Sequence, residues 1–152
     1  MLASVSPILE VIGNIVKAGD KPGLGQAIKH CNQLLVGATH AATMEVITLA
    51  RKLGLDPGLV CRVIASGIAG SDYFRLLSES VLEGKPSPGG LGQMCKDISI
   101  VVNTARAVKM PAYVATAAFQ YFLGAEALGM EDCEGADLIE VVERVAGKKD
   151  HQ

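Results

Sequence analysis

From Gly23 to Lys52 the chain contains no proline, and this stretch restricts the possible folds more than any other feature. Roughly thirty residues at 1.5 Å rise make a helix about 45 Å long, long enough that other elements must pack along it. Ile28, Leu35, Ala38, Ala42, Val46 and Leu49 fall at helical spacing. Apolar residues also occupy other faces, which suits a central helix covered on several sides. Arg51 and Lys52 lie in its last turn, and Gly54 follows as a stop.

The remaining segments read as shorter helices. Ser6-Pro7 resembles a cap followed by proline at the first helical position, opening "PILEVI", which stops at Gly13. "NIVKAG" (14–19) reads as an isolated strand or an extended connector. Asp56-Pro57 is a strong start for "PGLVCRVIASG", and Asp72 is placed to cap "YFRLLSESVLEG". "GKPSPGG" (84–90) is a loop. A helix follows over 92–110, another from Pro111 to about Gly129, and a last one over 137–146 before the charged tail "GKKDHQ". The expected fold is all-α, with six to seven helices around one long central helix.

Composition removes several classes of function. Net charge is −2 among 152 residues, and no basic stripe or polybasic run points to nucleic acid or a membrane surface. No apolar run reaches the roughly 20 residues that a membrane span needs. The first residues lack a basic segment and contain Pro7, a poor match to a signal peptide. Cys31, Cys61, Cys95 and Cys133 form no CxxC pair and are expected as free buried thiols. These features lead us to expect a cytoplasmic protein.

Little of the familiar site chemistry is present. "GLGQAI" has Ile28 where the third glycine of GxGxxG belongs, and no strand precedes it. "HAATME" around His40 lacks the HExxH spacing, and His30 has no histidine four residues away, so no metal site is expected. What remains is Lys29 with Asn32 and Gln33, and Lys96 with Asp97. On a helix, positions 29, 32 and 33 share a face, where an ammonium and two amides can converge on a small polar ligand. The alternative is a lysine that reaches solvent, beside amides that serve only the helix surface. Spacing alone does not join Lys96-Asp97 to Lys29.

Taken in order, "GLGQAIKHCNQLLVGATHAATMEVITLARKLGLDP", "PGGLGQMCKDISI" and "MPAYVATAAFQYFLGAEALGMED" resemble the C-terminal domain of the 3-hydroxyisobutyrate dehydrogenase family of β-hydroxyacid dehydrogenases. Gly23, Gly25, Lys29 and Asn32 fall in register with that family's GxGxxxKxxNN segment, and Glu45 and the Gly54-Leu55-Asp56 turn with its glutamate and "GLD" turn. The resemblance implies a helical domain like the C-terminal domain of 6-phosphogluconate dehydrogenase. Lys29 would be the catalytic lysine, general acid when a carbonyl is reduced and base when the alcohol is oxidised. Asn32 and Gln33 would bind substrate. Lys96 and Asp97 would lie toward the NAD or NADP cofactor, as would Leu91 after the "PGG" loop.

Two positions depart from the family pattern. Gln33 stands where a second asparagine is usual, and one extra methylene moves an amide by about an ångström, enough to matter in a preorganised site. Leu91 stands where an aromatic is common. The first residues, 1–20, match the end of a Rossmann domain and a connector; 21–147 match the helical substrate and dimerisation domain; 148–152 form the tail. The implied partners are a small 3-hydroxyacid, a Rossmann domain in cis or in trans, and a second copy of the chain. The expectation is therefore a C-terminal domain separate from its nucleotide-binding half, which by itself neither holds NAD(P) tightly nor transfers hydride. The competing expectation is a helical dimerisation module without chemistry.

Overall fold

The computed structural model describes residues 2–147. The tail expected at 148–152 lies outside the described residues. Among the described residues seven α-helices follow in chain order: α1 (Leu2–Leu9), α2 (Leu24–Lys52), α3 (Pro57–Ser66), α4 (Asp72–Glu83), α5 (Leu91–Ala107), α6 (Tyr113–Ala127) and α7 (Leu138–Val145). A single 3-10 turn, Gly135–Asp137, leads into α7. No strand occurs among the described residues, and "NIVKAG" is an extended connector. The all-α expectation and the long central helix are borne out.

α2 is capped by Gly23, whose φ of +90° lies in the left-handed region that glycine enters without a side-chain clash. Helices α3, α4, α5, α6 and α7 all pack on it. The core is built from Met44, Leu77, Leu91, Ile98, Phe122 and Leu138, none more than 1% exposed. Burying a side chain of this kind stabilises the fold by roughly 1.5–3 kcal/mol. Gly37 allows α5 to approach α2 closely, since a Cβ there would lie 2.2 Å from Ile98 Cδ1.

Several expectations are corrected. The buried side of α2 carries His40, Ala41, Met44, Ile47 and Ala50, whereas Ile28, Leu35 and Leu49 are exposed. Both sets have helical spacing, and only the placement of the neighbouring helices decides between them. α1 starts before Ser6, and Pro7 lies inside it. In the second turn, proline forfeits a single intrahelical bond, the one to Ala3 O. The cap of α4 is Ser71, whose Oγ accepts from Phe74 N at 3.1 Å, so Asp72 becomes the first helical residue. α5 stops at Ala107, ahead of Lys109 in a left-handed conformation (φ +58°), and α6 starts at Tyr113, beyond Pro111. All four cysteines are free as expected, but Cys31 is exposed.

Candidate active site

The candidate residues lie on α2 between Lys29 and Gln33 and on α5 between Leu91 and Asp97. Gly90 stands at the N-cap of α5 without a side-chain cap. Two amides at the start of this helix instead donate to the segment before the 3-10 turn: Leu91 N to Cys133 O at 2.9 Å and Gly92 N to Glu131 O at 3.0 Å. Leu91, Met94, Cys95 and Ile98 then turn into the core, which leaves Gln93 and Lys96 outward and Asp97 at the boundary.

Asp97 faces α2, and its side chain is 12% exposed. Gln33 Nε2 donates to Asp97 Oδ2 at 2.7 Å. The Lys29 ammonium stands 4.0 Å from the same oxygen, with half of its side chain in solvent. Asn32 Nδ2 donates to Gln33 Oε1 at 3.2 Å. The structure thus joins Lys29, Asn32, Gln33 and Asp97 in one continuous polar cluster. One turn to the amino-terminal side, His30 Nδ1 lies 3.3 Å from Thr104 Oγ1 and its Nε2 lies 3.3 Å from Gln26 Nε2, a second link between the helices.

Lys96 is exposed and adjacent to Asp97, with no ion pair among the described residues. Leu91 is 1% exposed and belongs to the core, so its side chain supports the start of α5 from beneath rather than lining an open surface. Glu45, in register with the family's glutamate, lies four turns from Lys29 and accepts a hydrogen bond from Tyr121 of α6. That bond, followed by burial, pushes the Tyr121 phenol up to about 12.

A groove of about 910 Å³ runs between α3 and α4, past the far end of α2, lined among others by Arg51, Cys61, Arg62 and Arg75. It shares no residue with the Lys29 cluster. Its arginines are already matched: Arg51 with Glu143, Arg62 with Asp56, Arg75 with Asp72 and Glu79. The Lys29 cluster lies elsewhere, where the second and third turns of α2 meet the second turn of α5.

Sequence reasoning misses His40 as a structural residue. It is fully buried, with Nε2 2.8 Å from Gly135 O and Nδ1 2.9 Å from the Tyr73 hydroxyl. The available signal is its place among Gly37, Ala41 and Met44, which share the buried face.

The fold matches a crystal structure of 3-hydroxyisobutyrate dehydrogenase from Salmonella typhimurium with a TM-score of 0.86 and 26% identity, over 92% of this chain and 50% of that one. A second solved structure, Psf3 in complex with NADP+ and 2-OPP, matches with a TM-score of 0.76 and 26% identity, over 93% of this chain and 50% of that one. Among curated proteins, the L-threonate dehydrogenase of Escherichia coli K12 is 30% identical over 127 residues, 82% of this chain and 42% of the relative. The mitochondrial 3-hydroxyisobutyrate dehydrogenase of Bos taurus is 31% identical over 128 residues, 79% of this chain and 38% of the relative. The chain thus spans less than half the length of these two dehydrogenases.

Residues 23–142 match the family model described as NAD-binding of NADP-dependent 3-hydroxyisobutyrate dehydrogenase, and the chain belongs to that family. The resemblance read from the sequence is borne out.

Proposed function

We propose that the chain is the lysine-bearing helical part of an NAD(P)-dependent 3-hydroxyacid dehydrogenase of the cytoplasm and works together with a nucleotide-binding part. Residues 1–20 form the connector to that part, and 21–147 form the substrate domain. The observation that carries this reading is the convergence of Lys29 and Gln33, both from α2, on one carboxylate oxygen of Asp97 from α5.

In this reading Lys29 gives a proton to the oxygen when a carbonyl is reduced and removes it when the alcohol is oxidised. Asp97 and Gln33 hold the ammonium toward the open side, and Asn32 orients Gln33 while offering its own carbonyl to a substrate hydroxyl. The exposed strip of Gln93 and Lys96 fits an anionic cofactor, because Lys96 supplies a cation without an ion-pair partner among the described residues. Bound NAD(P) supplies hydride exchange at the reacting carbon. Leu91 acts only through the backbone it anchors.

The test is to supply a nucleotide-binding domain of this family, in trans or fused upstream, and to follow 3-hydroxyacid oxidation. Lys29→Ala is expected to lower turnover by about 10²–10⁴-fold, with assembly intact. Unchanged turnover would reject the role of Lys29. Tight NAD(P)H binding or turnover by these residues alone would reject the dependence on a nucleotide-binding part.

A second reading, a helical dimerisation module without chemistry, is favoured by one observation. Ile28, Leu35 and Leu49 are 55%, 67% and 59% exposed and recur every seven or fourteen residues along α2. Sedimentation of Leu35→Glu against the unaltered chain tests it: a dimer that becomes monomeric supports an interface there, and an unaltered chain that is already monomeric removes it.

A further inference from the structure

The proton transfer assigned to Lys29 leaves several buried titratable groups unused, His40 among them. His40 lies on α2 three turns beyond Lys29, and both of its ring nitrogens are engaged. The Gly135 carbonyl can only accept, so Nε2 carries the hydrogen. Nδ1 then accepts from the Tyr73 hydroxyl. The ring edge also packs against Phe122, with centroids 5.3 Å apart. One neutral tautomer in one orientation is thereby selected.

What His40 holds is the start of α5. Gly135 receives the His40 hydrogen bond at its carbonyl and donates its own N–H to Gly89 O at 2.8 Å. It is packed too tightly for any side chain: a Cβ there would lie 2.9 Å from His40 Cε1 and from Ser87 Oγ, and 3.1 Å from Gly89 O. Gly89 and Gly90 lead directly into α5, whose first free amide, on Leu91, is taken up by Cys133 O. Asp97 follows within two turns. A closed circuit results: from Lys29 along α2 to His40, across Gly135 to Gly89, along α5 to Asp97, and back to Lys29.

We propose that His40 is a positioning residue for the Lys29–Gln33–Asp97 cluster, setting the height and rotation of α5 against α2 through its hydrogen bond to Gly135. The catalytic meaning of that role rests on the reading under Proposed function, whereas the coupling of His40 to the cluster does not.

The experiment is a nuclear magnetic resonance comparison of the unaltered chain with His40→Phe and His40→Gln. His40→Phe keeps a ring against Phe122 and removes both nitrogens, while His40→Gln keeps an N–H able to reach Gly135 O. In His40→Phe, exchange of the Leu91 and Gly135 amides and of the Gln33 side-chain amide is expected to accelerate at least about tenfold, with Met44 and Ile98 amides unchanged. His40→Gln is expected to return the Gln33 signal most of the way. A folded His40→Phe with an unaltered Gln33 signal would overturn the proposal, as would a His40→Gln that leaves Gln33 as free as His40→Phe does.

Should His40→Phe fail to fold, Tyr73→Phe replaces it. This change removes the hydroxyl that Nδ1 accepts from, so the ring loses one of its two anchors while the Gly135 carbonyl keeps the hydrogen on Nε2, and Gln33 should loosen. An unmoved Gln33 signal in a folded Tyr73→Phe overturns the proposal. Because these signals are read without substrate or cofactor, an inactive assembled enzyme with the coupling intact rejects the dehydrogenase reading alone.

Discussion

Gln33 Nε2 and Asp97 Oδ2 lie 2.7 Å apart, and this short contact between α2 and α5 brings the candidate lysine to its carboxylate. A hydrogen bond to an ionised acceptor is stronger than a neutral one. Asp97→Asn keeps an oxygen for Gln33 and removes the charge that attracts Lys29. A stability loss of about 0.5–1.5 kcal/mol in urea is expected, because both groups stand close to solvent. A drop in turnover of the assembled enzyme far larger than that loss explains would mark Asp97 as part of the site. Equal small effects on both would reduce it to a helix tether.

The close approach at Gly37 predicts a substitution that defies helix propensity. Alanine is favoured over glycine within a helix by about 1 kcal/mol, yet Gly37→Ala would press on Ile98, which is 0% exposed and has nowhere to go. A net loss of about 1–3 kcal/mol is expected, read as a lower urea midpoint with an unchanged slope. Ile98→Val in the same chain should recover part of it. Destabilisation that simply adds across the two changes would show that they do not meet.

Burial lowers the His40 imidazole to about 4, against an ordinary value of 6.5. Between these values the unfolded chain binds a proton that the folded chain refuses. Stability is therefore complete above pH 6.5 and declines as pH falls toward 4, by at most about 3 kcal/mol for this shift. Denaturation midpoints at pH 7 and pH 4.5 measure it. His40→Gln should flatten that part of the profile, and an equal slope in the variant would assign it to other groups.

The cysteines offer a direct check on which face of α2 is open. Cys31 is exposed and Cys133 half-buried, while Cys61 and Cys95 are buried. Burial raises both buried thiols, with Cys95 pushed up to about 11 by burial first and then by the Glu126 carboxylate beside it. An aromatic disulfide reagent should therefore modify Cys31 in the fastest phase under native conditions, ahead of the half-buried Cys133, and Cys31→Ser should abolish that phase. A fast phase that survives Cys31→Ser would place the open face elsewhere.

The sequence discloses helix ends better than helix sides. Asp56-Pro57 starts α3 as expected because a cap and a ring-fixed φ act locally, and Asp56 Oδ1 does accept from Gly58 N at 2.9 Å. Gly54, Gly84 and Gly129 mark helix ends for the same local reason, each with positive φ. Ser71 and Asp72 are both capping residues, and only the backbone decides that Ser71 takes the extended conformation. The buried side of α2 is not legible, since Leu35 and Met44 fit the period equally well and differ only in what packs beside them. The meeting of Lys29 with Asp97 crosses two helices, so it is implied by the resemblance and not by spacing. His40 is invisible as a strut because its partner is the backbone of a glycine, Gly135, which carries no side-chain signal.

The packing of α2 also makes its residue count a constraint. Each residue added to a helix advances it by 1.5 Å and turns it by about 100°. Between Gly37 and Ala50 the rod is locked by buried side chains, and near its end Arg51 meets Glu143 while Lys52 donates to Gly147 O. An insertion of one residue between Gln33 and Gly37 would leave that locked part in place and swing the lysine a quarter-turn away from Asp97. Seven inserted residues would restore the facing but carry the ammonium about 10 Å beyond reach. The distance in sequence from Lys29 to Gly37 therefore works as a fixed gauge, intolerant of any change in length even where every side chain is kept.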